Sequence, residues 1–251
     1  MAVVLVGGVS YAVMQTSVGP VLKSSLVNGP LGTSGFLAAF SLIFLSEIGD
    51  KTFFIAALLA LKLGKAVSFV GSVASLALMT LISVQIGVVC SRVPDALTSS
   101  IPVGELAGTV LLVVFGIKAL REGLRADEQQ HHANDEREDA EEAVKGAETS
   151  GQIGGSAGGP AASLPQQLAQ VATLIFFAEW GDRSMLATIA LGAAQNPVGV
   201  AAGAIAGHAL ATGIAVLGGS MAAEHVSEKT INIASGVLFI LFAIASIISL
   251  L

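Results

Sequence analysis

Long apolar segments separated by short polar breaks run along most of the chain, and their lengths are typical of membrane-spanning helices. A helix needs about 20 apolar residues to cross a hydrocarbon core of roughly 30 Å. Six segments reach that length: 36–62, 66–90, 101–123, 166–194, 198–222 and 230–250. The pattern therefore predicts an all-α integral membrane protein with six transmembrane helices.

Two stretches lie outside these six segments. Residues 1–34 are apolar but rich in glycine, and we interpret them as a loosely held seventh helix, with an interfacial segment or the remnant of a processed targeting region as alternatives. Residues 125–165 begin with an acidic run and end in GQIGGSAGGPAASLP, a composition that cannot bury a core. We therefore expect a solvated, disordered linker between residues 35–124 and residues 166–251.

The two halves of the chain resemble each other. An ungapped alignment of Glu47 with Glu179 places LIFLSEIGDKT on LIFFAEWGDRS and Gly71 on Gly203. Each half contains three apolar segments, so the second half must enter the membrane from the opposite face. This is the inverted-repeat plan of many secondary transporters, whose site lies near the midplane where the repeats meet.

Basic residues lie mostly on one side of this predicted topology. Those on the side of the central linker are Lys62, Lys65, Lys118, Arg121, Arg125, Arg137, Lys145 and Lys229, whereas Lys23 and Arg92 lie on the other side. By the positive-inside rule, the linker faces the cytoplasm or its organellar equivalent.

Composition agrees with a membrane protein and excludes several other classes. Hydrophobic residues make up 53% of the chain and charged residues only 12%, against about 25% charged in soluble domains. The net charge of −6 reflects nine of the eighteen acids crowded between Asp127 and Glu148, and no basic patch suggests a nucleic-acid partner. The single cysteine, Cys90, excludes an intrachain disulfide and a cysteine-cluster metal site.

The strongest functional signal is a doubled motif, EIGDKT at residues 47–52 and EWGDRS at residues 179–184. Each copy lies near the middle of its apolar segment, and a charged side chain there costs roughly 3 kcal/mol on insertion scales. The glutamate and aspartate of each copy are spaced i,i+3 and would share one helix face, while the glycine permits close packing or local unwinding. Four carboxylates are therefore functional candidates: Glu47, Asp50, Glu179 and Asp182.

The ligand set that the two motifs offer is oxygen-only, with no paired histidine and no thiolate cluster. Thr52 and Ser184 add hydroxyl groups to the four carboxylates, and unwound backbone would add carbonyl oxygens. Carboxylate, carbonyl and water ligands suit Mg²⁺, Ca²⁺ and Mn²⁺, whereas zinc and copper sites usually recruit imidazole or sulfur. We therefore expect a site for Mn²⁺ or Ca²⁺, with Lys51 and Arg183 balancing part of its charge.

Transport in exchange for protons is the mechanism that this chemistry favours. Burial and like-charged neighbours both favour the protonated form of a carboxyl group, so protons and cations should compete for the cluster. Release of protons on cation binding, followed by rocking of one repeat against the other, would give cation/proton antiport. A divalent-cation uniporter or channel without proton coupling is the alternative within transport.

Other interpretations of these residues are weaker. An intramembrane aspartyl protease also needs two buried aspartates, but its Gly-x-Gly-Asp signature is absent because Glu47 and Glu179 stand two residues before the glycines. His208 aligns with Leu76, so we interpret it as a polar contact between helices rather than a proton relay. Glycine and alanine dominate residues 199–207, which predicts close packing against the motif helices.

The doubled motif, together with GDKTFFIAALLA and AEWGDRSMLATIALGAAQ, resembles the GDT-type family of small cation/proton exchangers for Mn²⁺ and Ca²⁺ in Golgi, plastid and cyanobacterial membranes. The resemblance runs from about Gly35 to the C-terminus and points to the chloroplast manganese transporter branch. It implies a transporter rather than an enzyme, with no cofactor, and partners that are divalent ions, protons and the lipid bilayer. Whether the protein forms a homo-oligomer stays open. The implied metal ligands are Glu47, Asp50, Glu179 and Asp182, with Thr52 and Ser184 as neighbours.

The same resemblance implies a location. It favours the chloroplast envelope or thylakoid membrane, with a Golgi or cyanobacterial membrane as the alternative. A plastid precursor would begin with a Ser/Arg-rich transit peptide, whereas this chain begins MAVVLVGG. We therefore expect a mature or truncated form, unless the plastid assignment is wrong.

Overall fold

The computed structural model describes residues 34–91, 103–125, 132–153, 162–218 and 228–250. Within these ranges every regular element is an α-helix, which confirms the predicted all-α class. The N-terminal segment, where we expect an extra helix, lies outside the described residues apart from its last position. The helices are α1 (Gly35–Glu47), α2 (Lys51–Leu63), α3 (Lys65–Ser91), α4 (Val103–Arg125), α5 (His132–Thr149), α6 (Leu164–Glu179), α7 (Arg183–Ala194), α8 (Pro197–Gly218) and α9 (Glu228–Leu250).

Two of the predicted spans are broken helices. The first consists of α1 and α2, which stop and restart around residues 48–50, and the fourth consists of α6 and α7, which do the same around residues 180–182. The prediction that the glutamate and aspartate share one continuous helix face is therefore wrong. The local unwinding at glycine, which the sequence left open, is what the structure contains.

In the part of the chain that the structure describes, three helices are long and apolar enough to cross a membrane by themselves. They are α3, α8 and residues 229–248 of α9. Helices α1 and α7 are apolar but shorter, and a 13-residue helix such as α1 is only about 20 Å long. The two half-helices of a broken helix can cross the bilayer only together, because neither is long enough alone. The count of six spans therefore stays a prediction.

The two broken helices run in opposite directions. The start of α1 at Gly35 lies against Asn196 and Val200, just beyond the end of α7. At the other end, Gly71 in the second turn of α3, which follows α2, lies against Leu168 and Val171 in the first half of α6. The beginning of each broken helix therefore lies beside the end of the other.

Glycines bring each motif helix close to a helix of the other half. A Cβ at Gly203 of α8 would overlap the carbonyl oxygen of Phe36 in α1. Its aligned partner, Gly71 of α3, faces Val171 of α6, whose Cγ1 would lie 2.7 Å from an added Cβ. The close packing predicted for residues 199–207 is confirmed.

Helices α4 and α9 pack against each other and lie asymmetrically around the broken helices. Helix α4 packs against α7, and α9 packs against α1. If the two halves were arranged symmetrically, α2 would pack against α9 as α7 packs against α4. Within the described residues, α2 instead packs against α5. A cavity lies between the α4/α9 pair, the turns of both motifs and α5.

Part of the linker is a packed helix rather than a disordered segment. In α5, Ala140, Val144 and Ala147 are buried in the same apolar cluster as the phenylalanines of α2. Their i, i+4, i+7 spacing forms one apolar stripe, and acidic side chains occupy the rest of the helix. The prediction of a solvated linker is therefore wrong for residues 132–153.

Ion pairs join α5 to α2 at both ends of the contact. Lys51 Nζ lies 3.8 Å from Asp139 Oδ2, and Lys62 Nζ donates to Glu148 Oε1 at 2.6 Å. All four side chains are partly exposed, so each pair contributes only about 0.2–1 kcal/mol. Because the partners follow the same order along both helices, α5 runs parallel to α2.

Candidate cation site

A tight turn replaces the helix in the first motif. Ile48 has φ −69° and ψ 119°, Gly49 has φ +80°, and the Asp50 amide donates to the Glu47 carbonyl at 3.3 Å. These values match a type II β-turn, which needs a positive φ at its third residue and therefore favours glycine there. The motif glycine is thus explained by the turn that separates two half-helices.

The second motif repeats the same turn. Trp180 has φ −65° and ψ 115°, Gly181 has φ +86°, and the Asp182 amide donates to the Glu179 carbonyl at 3.1 Å. Each aspartate then starts the next half-helix as its N-cap, with an extended backbone. The two aligned motifs therefore adopt the same backbone turn.

Three of the four predicted carboxylates meet at one point. Each of Glu47, Asp50 and Glu179 contributes an oxygen, and these oxygens lie within 4.8 Å of one another. The three residues are only 3%, 9% and 1% exposed. Two unit charges 4 Å apart repel by about 4 kcal/mol at an effective dielectric constant of 20. The fully ionised group therefore needs cations nearby.

The motif hydroxyls each hold one glutamate. Thr52 Oγ1 donates to Glu47 Oε2 at 3.4 Å, and Ser184 Oγ donates to Glu179 Oε1 at 3.0 Å. Both hydroxyl residues are buried. Thr52 and Ser184 therefore lie beside the acids as the sequence predicts, in equivalent positions of the two motifs.

Asp182 is not part of the three-carboxylate group. Its Oδ2 accepts from the Ser184 amide at 3.1 Å, which caps the first turn of α7. Asp50 is the N-cap of α2 but makes no such side-chain bond. The two aspartates have equivalent backbones and different partners, so the structure brings Asp50 to the glutamates and leaves Asp182 at the cavity wall.

The two basic motif residues also differ. Arg183 Nη2 donates to the Ser46 carbonyl at 3.2 Å and lies 3.5 Å from Asp50 Oδ1. It therefore joins the second motif to the first, and its charge lies beside the cluster. Lys51 pairs with Asp139 of α5 rather than with a motif acid.

The site opens into a cavity of about 320 Å³. Its charged lining residues are Asp50, Lys118, Glu122, Glu136, Asp182 and Arg183. Burial raises the pKa of Glu136 on α5, and the nearby Arg183 opposes that shift. Sequence reasoning missed Glu136 because it assigned this stretch to a disordered linker.

His208 lies against Glu47 of the three-carboxylate group. Sequence reasoning did not predict this contact. Its Nδ1 lies 3.6 Å from Glu47 Oε1, and its side chain is 1% exposed. The only sequence signal was its position next to Gly207, on the helix face that packs against α1.

A family model describing the divalent cation/proton antiporter GDT1 matches residues 35–127 and 167–251, which include both motifs. The chain belongs to this family. The resemblance inferred from the doubled motif is thereby confirmed, and no solved structure matches the chain.

Curated relatives agree with the family assignment. The GDT1 family chain is 47% identical over 224 residues to GDT1-like protein 2, chloroplastic, of Oryza sativa subsp. japonica, covering 89% of this chain and 64% of that one. It is 46% identical over 222 residues to the PAM71-homolog, chloroplastic, of Arabidopsis thaliana, covering 88% and 61%. A GDT1-like protein of Synechocystis is 41% identical over 217 residues, with 85% and 96% covered. The chain thus spans less than two thirds of the chloroplastic relatives.

Proposed function

We propose that this protein is a secondary transporter that exchanges divalent cations for protons, with Mn²⁺ as the preferred ion and Ca²⁺ as a second substrate. The observation that carries the proposal is the buried group of Glu47, Asp50 and Glu179. Hard divalent cations favour carboxylate, hydroxyl and carbonyl oxygens, which the two motifs supply together. The family assignment supports the same class of activity.

Proton coupling follows from the charge of the group. Arg183 is the one motif cation beside three carboxylates, so an ionised cluster keeps excess negative charge. Either a divalent cation or protons can neutralise that excess, and both compete for the same oxygens. Loading the cation from one side and protons from the other gives exchange without a separate proton site.

Alternation between the two faces follows from the asymmetry of the fold. We assign six spans in two inverted repeats, with α4 and α9 packed against α7 and α1, which closes the face where α1 begins. The cavity then opens toward the linker face, where α2 ends. The opposite state has the α4/α9 pair against α2 and α6, with the two aspartates exchanging roles: Asp182 joins the glutamates and Asp50 caps α2.

The relatives support a photosynthetic membrane as the location. Several of them are chloroplastic and one is cyanobacterial. We assign the protein to a chloroplast envelope or thylakoid membrane, as a multi-pass protein whose central linker, on the side richer in Lys and Arg, faces the organellar equivalent of the cytoplasm.

Flux in proteoliposomes tests this function. Purified protein is reconstituted with a Mn²⁺-sensitive dye inside, and uptake is measured with and without an acidic lumen. Exchange predicts that the acidic lumen accelerates Mn²⁺ uptake and that added Mn²⁺ alkalinises the lumen. A uniporter or channel predicts equal uptake at both lumenal pH values once the membrane potential is clamped, and that result would exclude proton exchange.

A further inference from the structure

His208 of α8 faces the cation site with an atom that is buried and unsatisfied. Within the described residues, His208 Nδ1 has no hydrogen-bond partner, and the same holds for Glu47 Oε1. The two atoms lie 3.6 Å apart, too far for a hydrogen bond. Buried polar atoms are nearly always satisfied in folded proteins, so two such atoms facing each other require an explanation.

The spacing of 3.6 Å is slightly wider than that of two adjacent ligands of one ion, so binding an ion between them would need only a small approach of the two atoms. Adjacent ligand atoms in an octahedral shell with bonds of about 2.1–2.4 Å lie roughly 3.0–3.4 Å apart. The other oxygen of Glu47, Oε2, is held by Thr52, so Oε1 is the oxygen left to face His208. Glu47 also belongs to the three-carboxylate group, and His208 lies outside that group but next to its Glu47 member.

The imidazole breaks the two-fold pattern of the motifs. The residue aligned with His208 is Leu76, which is buried at 2% exposure. Carboxylates and hydroxyls occur in equivalent pairs, whereas a nitrogen donor occurs on one side alone. The aligned position in α3 shows that leucine can fill this place in the packing. Helix packing alone therefore does not explain a histidine at position 208.

We propose that His208 Nδ1 is a nitrogen ligand of the transported ion and sets a preference for first-row transition ions such as Mn²⁺ over Ca²⁺. This rests on the proposed cation transport through the same site. Calcium binds almost exclusively to oxygen, whereas imidazole nitrogen is a common ligand of transition metals. Ligation through Nδ1 requires the neutral tautomer with its proton on Nε2.

An ion pair between a protonated His208 and Glu47 is the competing explanation. In that arrangement the histidine acts on the charge and position of Glu47, so its removal would change the affinities for Mn²⁺ and Ca²⁺ alike. A ligand role predicts unequal changes and a direct magnetic contact between the nitrogen and the ion. The two explanations therefore differ in measurable ways.

The test measures binding on purified full-length protein, without transport. Wild type, His208→Leu and His208→Gln are titrated with Mn²⁺ and with Ca²⁺, and pulsed electron paramagnetic resonance detects nitrogen coupling to bound Mn²⁺. We expect coupling in wild type that both variants lose, with Mn²⁺ affinity lowered at least tenfold and Ca²⁺ affinity changed less than threefold. His208→Leu copies the aligned leucine, and His208→Gln keeps a polar side chain if the leucine variant does not fold.

The outcomes separate this inference from the proposed function. Wild-type protein that binds Mn²⁺ without nitrogen coupling, or variants that lose both ions equally, would overturn the role of His208 and leave the transporter intact. Wild-type protein that binds neither ion would instead overturn the proposed cation site itself.

Discussion

Arg183 lies 3.5 Å from Asp50, so a cation from the second motif faces an acid from the first. The same guanidinium nitrogen donates to the carbonyl of Ser46, near the end of α1. The bond crosses between the two halves of the chain at the point where both main helices are interrupted. Arg183 therefore ties the first motif to the second while it neutralises part of the cluster.

Replacing Arg183 should destabilise the protein in a way that a cation repairs. Arg183→Gln leaves the buried Asp50 without its partner; losing one member of a fully buried pair typically costs about 3–5 kcal/mol, and because the Arg183 side chain is 26% exposed we expect a smaller loss here. We expect the melting temperature in detergent to fall by several degrees and to recover in part with Mn²⁺, because the ion neutralises Asp50 and binding stabilises the folded state. The melting temperature of Arg183→Lys should fall less than that of Arg183→Gln. Lysine keeps the positive charge but lacks the planar guanidinium group that bonds Asp50 and the Ser46 carbonyl together.

The control for this experiment is Arg125→Gln, since Arg125 is exposed at the end of α4. Its melting temperature should match that of wild type. An Arg183→Gln protein as stable as wild type without added cation would show that the contact between the motifs contributes nothing.

The turn at Gly49 gives a second prediction. Its φ of +80° disfavours any side chain, although an added Cβ has no neighbour within 4 Å. Gly49→Ala should therefore cost about 1–2 kcal/mol through backbone strain alone, and Mn²⁺ transport should fall because the strain lies between Glu47 and Asp50. Gly49→Asn should retain more transport, because asparagine tolerates a positive φ.

Gly146→Ala is the matched control for the turn. Gly146 also has open space around its Cβ position but lies within the helix α5. Its replacement should preserve transport, and equal losses in the two alanine variants would contradict the role assigned to the turn.

Close approach of α8 to α1 gives a third prediction. Gly203→Ala would push a methyl group into the backbone at Phe36, and overpacking of this kind costs about 1–3 kcal/mol or more. Gly213→Ala on the same helix meets only Phe69, at an ordinary 3.7 Å. We expect the thermal stability to fall for the first variant and to stay equal or rise slightly for the second. Comparable stability of both variants would argue against the packing described for Gly203.

The raised pKa of Glu136 predicts a pH-dependent stability. Because burial favours its neutral form in the folded protein, ionised Glu136 destabilises the fold above the ordinary glutamate pKa of about 4.3. Glu136→Gln should therefore melt at a higher temperature than wild type at pH 7.5, and the difference should shrink as the pH falls toward 4. The exposed Glu142→Gln on the same helix should show no difference at either pH. A lower melting temperature for Glu136→Gln at pH 7.5 would refute this sign.

Local sequence rules were sufficient to locate the motifs and their acids and hydroxyls, but the continuous helix predicted through each motif was wrong. These rules use only the order of residues along the chain. They gave the lengths of the apolar segments, the alignment of Gly71 with Gly203, and the spacing of the acids and hydroxyls in each motif. The turn itself could have been recognised, because Gly49 precedes Asp50, a preferred helix N-cap, and this order is typical of a chain that stops one helix and starts another.

Three features that depend on distant contacts were not predicted. His208 reaches Glu47 only because α8 packs on α1, and a repeat alignment that pairs it with Leu76 hides that contact. Asp182 and Asp50 lie in similar local sequences, so the local pattern does not distinguish the amide that Asp182 caps from the carboxylates that Asp50 meets. Helix α5 was missed because its many acids obscured an apolar stripe whose partner, α2, lies about 80 residues away in the chain.

The central claim is that Glu47, Asp50 and Glu179 form one shared cation site. The most direct test of the shared site is isothermal titration calorimetry, in which purified protein is titrated with Mn²⁺. The proteins compared are wild type, Glu47→Gln and Glu179→Gln, with Glu142→Gln as the control. A shared site predicts one ion per chain and at least a tenfold loss of affinity in each of the first two variants, with the control unchanged. Two ions per chain, each lost with only one of the two substitutions, would contradict the account.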